Sequence, residues 1–169
     1  DYYNVNPDLA LEPANRLAEF EALIARTHLH DMNVVIDIVP NHIARNYQSQ
    51  TKPSNHTDFG VNDNTELEYS KHNNFYYVPG QAFKVPEPLD GYQPLGGQAH
   101  PLVDGKFTEF PAKWTGNGAR QAQPHFHDWY ETVKVNYGVK PDGSYDFPVL
   151  PAQFATQSYQ AHYAFWQQH

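Results

Sequence analysis

The stretch VVIDIVPNH, residues 34 to 42, gathers three side chains able to act on a ligand. Five of its first six residues are branched and apolar, the composition of a strand covered on both faces. Asp37 interrupts the run, and Asn41 and His42 follow Pro40 at its exit. In parallel α/β folds, binding residues lie at the C-terminal ends of strands and in the loops just beyond. The Asn41 amide and the His42 imidazole occupy that place. A carboxylate inside a covered strand must find hydrogen-bond partners or cost several kcal/mol, so Asp37 implies a prearranged polar network beneath the site. The plainer alternatives are a structural acid at Asp37 and a strand-end turn with a capping Asn and an incidental His.

Other clusters carry less. Asp58, Asn62, Asp63, Asn64 and Glu66 are rich in oxygen, as a hard cation requires, but their spacing is not that of an EF-hand and a solvated turn is the ordinary reading. His125 and His127 alternate as a strand-borne metal pair would, with no third ligand evident. Tyr76, Tyr77, Trp114, Trp129 and Tyr130 could stack on sugar faces, although rings in a small Pro-rich unit more often form its core. Asp90, Asp104, Glu109 and Asp128 sit in turn-like settings where a solvated acid is expected.

The elements that would position these residues follow from periodicity. Residues 15 to 30 place Leu17, Phe20, Leu23, Ile24 and Thr27 on one stripe, which predicts an amphipathic helix begun near Pro13 and Asn15 and ended by HDMN, with no Gly at the turn. A β-branched strand over 34–39 follows almost at once, the αβ half of a βαβ unit. From 43 to about 148, Pro, Gly and polar turn clusters dominate, yet NNFYYVPGQAF and HDWYETVKVNYGV are too aromatic for a linker. This reads as an irregular inserted unit held by ring packing and short strands such as 132–137. Helical spacing returns after Pro151, in Phe154, Tyr159, His162, Tyr163 and Trp166.

Composition bounds the partners. The chain has 169 residues, enough for a real core, with aromatics at 15% and charged residues at 18%. A net charge of −8 with 11 Lys and Arg in no block argues against a nucleic-acid polyanion and for a neutral partner. No apolar run approaches the roughly 20 residues of a membrane span. The absence of Cys excludes disulfides and thiol chemistry but leaves the compartment open. The opening DYYNVN has no initiator Met and the end, YAFWQQH, stops inside an amphipathic run, so the chain is read as a piece of a longer protein.

The segment D-I-V-P-N-H resembles the first signature region, D-x-x-x-N-H, of the alpha-amylase family of glycoside hydrolases, found at the end of the third strand of a (β/α)8 barrel. Around it, DYYNVNPDLA looks like the segment leaving the second strand, and EFEALIARTHLHDMNVVIDIVPNH resembles the second helix and third strand, with His28 where the family usually has His. TDFGVNDNTELEYSKHNNFYYVPGQAF and DWYETVKVNYGV look like the inserted B domain of one bacterial branch. The resemblance covers nearly the whole chain and keeps the helix, strand, insertion, helix order.

It implies an α/β fold: part of a (β/α)8 TIM barrel over 1–42 (loop, helix 2, strand 3), a loop-rich B domain over 43–148, and barrel helix 3 over 149–169. It further implies that Asn41 holds a structural calcium ion through its amide oxygen, that His42 donates a hydrogen bond to the sugar where the bond is broken, and that Asp37 supports the active-site network. The family's chemistry is retaining attack on α-glucosidic bonds by three acids placed after the fourth, fifth and seventh strands. Those acids lie beyond this chain, which is therefore expected to be inactive alone, its substrate an α-glucan or malto-oligosaccharide and its partner the remainder of the parent barrel. A secreted or periplasmic bacterial setting suits that branch. Relatives acting on sucrose, trehalose or isomaltose-type links, and a non-catalytic carbohydrate-binding scaffold, are the alternatives.

Overall fold

A computed structural model describes residues 2–37, 39, 41–52, 54–55, 57–92 and 109–146. The helix expected after Pro151, Asp104 and the segment around them lie outside the described residues.

The amphipathic stripe folds as α1, Arg16–His28, behind a 3₁₀ turn at Pro13–Asn15. Asn15 makes no side-chain cap; instead the Glu19 carboxylate accepts from the backbone N–H of Leu11 at 2.9 Å and Glu12 at 2.8 Å. A carboxylate in the first turn also suits the positive end of the helix dipole. At the other end, Met32 N–H reaches Thr27 O at 3.2 Å and Asp31 N–H reaches His28 O at 3.1 Å, a Schellman closure. Asp31 takes the left-handed conformation, φ 54°, that Gly would usually supply, and Asp is among the few side chains that tolerate it. None of the helix is buried among the described residues.

The expected strand over 34–39 differs: residues 34–37 and 39 form no strand, and Val35 is 93% and Val39 52% exposed. A strand needs a neighbour to complete its hydrogen bonds, and no described segment pairs with this one. The strand pairing comes just after it. β1, His42–Ala44, runs antiparallel to β4, Thr132–Lys134, with His42 opposite Lys134, Ile43 opposite Val133 and Ala44 opposite Thr132. A second pair joins β2, Tyr77–Val78, to β3, Ala112–Lys113, also antiparallel. Single bridges at Phe75–Val135 and Thr115–Val133 tie the two pairs together.

The core lies where these ribbons meet. Ile43, Phe75, Tyr77, Val133 and Val135 are buried together, with Tyr2, Tyr47, Phe59 and Tyr137 packed around them. Tyr76 stacks on Trp114 at 4.5 Å between ring centroids, and Phe83, Ala112 and Ala122 form a second cluster. Tyr76, Tyr77 and Trp114 thus take the core alternative.

With so little regular pairing, side chains satisfy much of the loop backbone. Buried Asn73 exchanges bonds with Asn64, its Oδ1 accepting from Asn64 N–H and its Nδ2 donating to Asn64 O, both at 2.8 Å. Asp63 accepts from Asn74 N–H, Phe75 N–H and the Tyr77 hydroxyl at 2.7, 3.0 and 2.9 Å. Buried Asn136 donates to Ser70 O and Asn73 O. Burial pushes the Asp63 carboxyl above its ordinary value against the pull of those three donors. The expected solvated turn at Asp63 is instead an anchor.

Glu109 needs the same correction. It is buried, its carboxylate 2.6 Å from the buried guanidinium of Arg45 and 3.3 Å from the Lys113 ammonium. Arg45 also donates to Lys113 O and lies 3.9 Å over the Phe83 ring, and burial lowers its pKa despite the facing acid. A charge placed this deep requires a partner, and Glu109 supplies it. Among the described residues no helix is long and apolar enough to cross a membrane.

Candidate functional site

The side chains of β1 and β4 divide by alternation. Ile43, Val133 and Val135 turn into the core, so His42, Thr132 and Lys134 share the opposite face. Asn41, one residue ahead, has its carbonyl fixed by Val135 N–H at 3.0 Å.

The Asn41 amide is oriented by neighbours that each allow one role. The Lys134 ammonium, which can only donate, reaches Oδ1 at 3.0 Å; Gly116 O, which can only accept, takes a bond from Nδ2 at 2.9 Å. The second Nδ2 proton faces His42 Nδ1 at 3.2 Å. Nδ1 is therefore the acceptor nitrogen of the imidazole, and the ring proton sits on Nε2. The Nε2–H has no bond to another described residue.

Beside it, Trp129 meets the His42 ring edge to face, 5.2 Å between centroids at 62°. Trp129 is 52% exposed although it is among the largest apolar side chains of the molecule. Its backbone N–H donates to Asn117 Oδ1 at 3.2 Å, and Asn117 Nδ2 donates to Asp128 Oδ1 at 2.8 Å. His42, Trp129 and Asp128, with Tyr130, Glu131 and Thr132, line an open recess of about 340 Å³, at the small end of ligand-sized cavities. A larger recess of about 780 Å³ shares Asp128 with it and takes in Arg120 and His125.

Gly116 closes the back of the site. A Cβ there would lie 2.2 Å from Thr132 Oγ1 and 3.1 and 3.2 Å from His42 Cβ and Cγ. The close approach lets the Gly116 backbone touch β1 and β4 at once. The N-terminal segment reaches the same point from the other side, the Tyr2 hydroxyl donating to His42 O at 3.3 Å.

The Asn41 amide and the His42 ring, neighbours in sequence, are joined by a hydrogen bond. Asp37 is not with them: it is exposed on an unpaired segment, where water solvates the carboxylate and no buried network is required. The Asn41 amide oxygen, which the resemblance assigns to calcium, is held by Lys134. Asp58, Asn62, Asp63, Asn64 and Glu66 do not converge on it; Asp58 caps Ser49 N–H at 3.0 Å and Asp63 serves the core. Among the described residues, no group of three His, Cys, Asp or Glu is arranged to hold a metal ion. His125 and His127 lie 5.4 Å apart, ring to ring, beside the larger recess.

No family model, no curated protein and no solved structure matches this chain. The functional reading therefore stands on the geometry and on the signature residues alone.

Lys134, Gly116 and Asn117 are not among the residues that the sequence pattern singles out. Lys134 was within reach, because the alternation of Thr132, Val133, Lys134 and Val135 puts it on the face opposite two buried valines. Gly116 and Asn117 act through contacts between distant segments, which no local pattern marks.

Proposed function

We propose that this chain is the B-domain-bearing segment of a retaining, α-glucan-acting glycoside hydrolase of the alpha-amylase type, and that the recess beside His42 receives a sugar of a malto-oligosaccharide. The observation that carries the reading is the pairing of an oriented donor with an exposed ring: His42 Nε2–H and the Trp129 indole open on the same recess. A pyranose presents hydroxyl oxygens around its rim and C–H groups on its faces. One donor and one apolar ring meet both, which is how small-molecule sites are commonly divided. The net charge of −8 suits a neutral ligand.

The chemistry would be retaining displacement at the anomeric carbon, with the attacking carboxylate and the acid/base supplied by the rest of a parent barrel. His42 binds and orients; it does not carry the displacement. The half-buried stripe of α1 and the exposed Val35 and Val39 support a barrel remainder as partner, since apolar side chains left open in this way suit a face that another surface covers.

The test is titration of the chain with a malto-oligosaccharide, read by tryptophan fluorescence and calorimetry. Saturable binding is expected, weakened about fivefold in His42→Ala, the loss of one neutral hydrogen bond of roughly 1 kcal/mol. Trp129→Ala should abolish the fluorescence change. A folded chain that shows no saturation, or one bound equally well by both variants, rules the site out.

A further inference from the structure

We infer that Lys134 is a built-in cation at the Asn41 site: its ammonium, not a bound metal ion, holds the amide that orients His42, and the site works without calcium. The inference deepens the reading above for the same site, but its test involves no sugar, so the two can fail separately.

Calcium takes about six to eight oxygens, with carboxylates prominent among them. Asn41 has one oxygen to offer, and Lys134 Nζ lies on it at 3.0 Å. Its Nδ2 is committed to Gly116 O and His42 Nδ1. Turning the amide round would point Nδ2 at an ammonium and Oδ1 at a carbonyl, leaving two unmatched pairs in a half-buried place. A dication could use Oδ1 only by expelling a positive charge from it.

Lys134 is poorly able to leave. Its backbone N–H is bonded to Trp114 O at 3.2 Å, and its residue pairs across the ladder with His42. Its stem runs past Gly118, whose left-handed backbone, φ +88°, would place a Cβ 3.7 Å from Lys134 Cδ. Among the described residues no carboxylate forms an ion pair with Lys134. An acid-lined metal cage would place carboxylates there instead. The ammonium therefore has the Asn41 oxygen as its built partner, and the chain Lys134, Asn41, His42 transmits a fixed tautomer to the recess.

Lys134 is a positioning residue, and the decisive readout is the imidazole itself. In the whole chain, with His42 assigned by nitrogen NMR, wild type should show the Nε2–H tautomer, and the signal and the melting temperature should be the same in EDTA and in millimolar Ca²⁺. Lys134→Met should lower the melting temperature and bring the two ring nitrogens toward an averaged shift, while Lys134→Arg, which keeps a donor cation, should retain most of the wild-type signature. A rise in wild-type melting temperature with Ca²⁺ that disappears in Asn41→Ala would overturn the inference. So would a folded Lys134→Met with an unchanged His42 signature. Should Lys134→Met fail to fold, the calcium titration of wild type and the signature of Lys134→Arg decide by themselves.

Discussion

Replacing Gly116 by Ala isolates the contact on which the site is built. The added Cβ would stand 2.2 Å from Thr132 Oγ1, far inside van der Waals contact, and close against His42 Cβ and Cγ. Thr132 Oγ1 donates to Trp129 O at 3.0 Å, so rotating the hydroxyl away sacrifices that bond as well. Overpacking of a filled position costs typically ~1–3 kcal/mol and one hydrogen bond ~1 kcal/mol, so roughly 2–4 kcal/mol of destabilisation is expected. The sign is informative because Gly116, unlike Gly80 (φ +73°) and Gly143 (φ +83°), does not need a left-handed backbone. A Gly→Ala change at an unstrained, open position stabilises by ~0.4–1 kcal/mol through the unfolded chain. Urea unfolding followed by tryptophan fluorescence measures the difference, with an unchanged denaturant slope showing that only stability moved. His42 ring signals should shift in the same variant, since its Cβ and Cγ are the second contact. A Gly116→Ala protein as stable as wild type, or more so, would mean that β1, β4 and the 115–119 turn do not pack as closely as described.

Glu109→Gln should cost about 3–5 kcal/mol in the same unfolding assay, because it leaves the Arg45 guanidinium buried beside Phe83 without a counter-charge; a loss below about 1 kcal/mol would show the pair to be solvated. Asp63 sets a pH dependence. Burial raises its folded-state pKa above the unfolded value, so its contribution is fully present below the ordinary carboxylate range and is lost as pH rises through the raised value. The stability difference between wild type and Asp63→Asn should therefore change across that acidic window, and a difference constant with pH would refute the assignment.

How far the sequence spoke depends on the range of the interaction. The 13-residue helix was legible because its signal is local: a 3.6-residue stripe, Pro13 ahead and a polar break behind, with Asp31 standing in for the absent Gly. The strand expected over 132–137 forms only at Thr132–Lys134, with Val135 bridged singly to Phe75. The run at 34–39 has strong β propensity, but propensity for a pleated surface is realised only beside another strand, and none of the described residues provides one. The local sequence marks Glu109 and Asp63 as solvated, because acids in loops usually are. What buries them is a partner 64 residues away for Glu109 and a loop folded onto Asn74 and Phe75 for Asp63, neither written in the local pattern.

The site draws its rigidity from that same long-range packing. β4 has two faces separated by one pleat: Val133 and Val135, fully buried, lock it to Ile43 and Phe75, while Thr132 and Lys134 emerge beside His42. Any shift of Lys134 relative to His42 must slide the valines against the core, and a slip of one residue would exchange the two faces altogether. A loop-rich unit with few ladder bonds can therefore still hold an amide, an ammonium and an imidazole at hydrogen-bond distance. The same logic explains why Trp129 is fixed from behind by Asn117 and not by burial: a ring that must stay open to a ligand cannot be held by covering it, so its backbone is bonded instead.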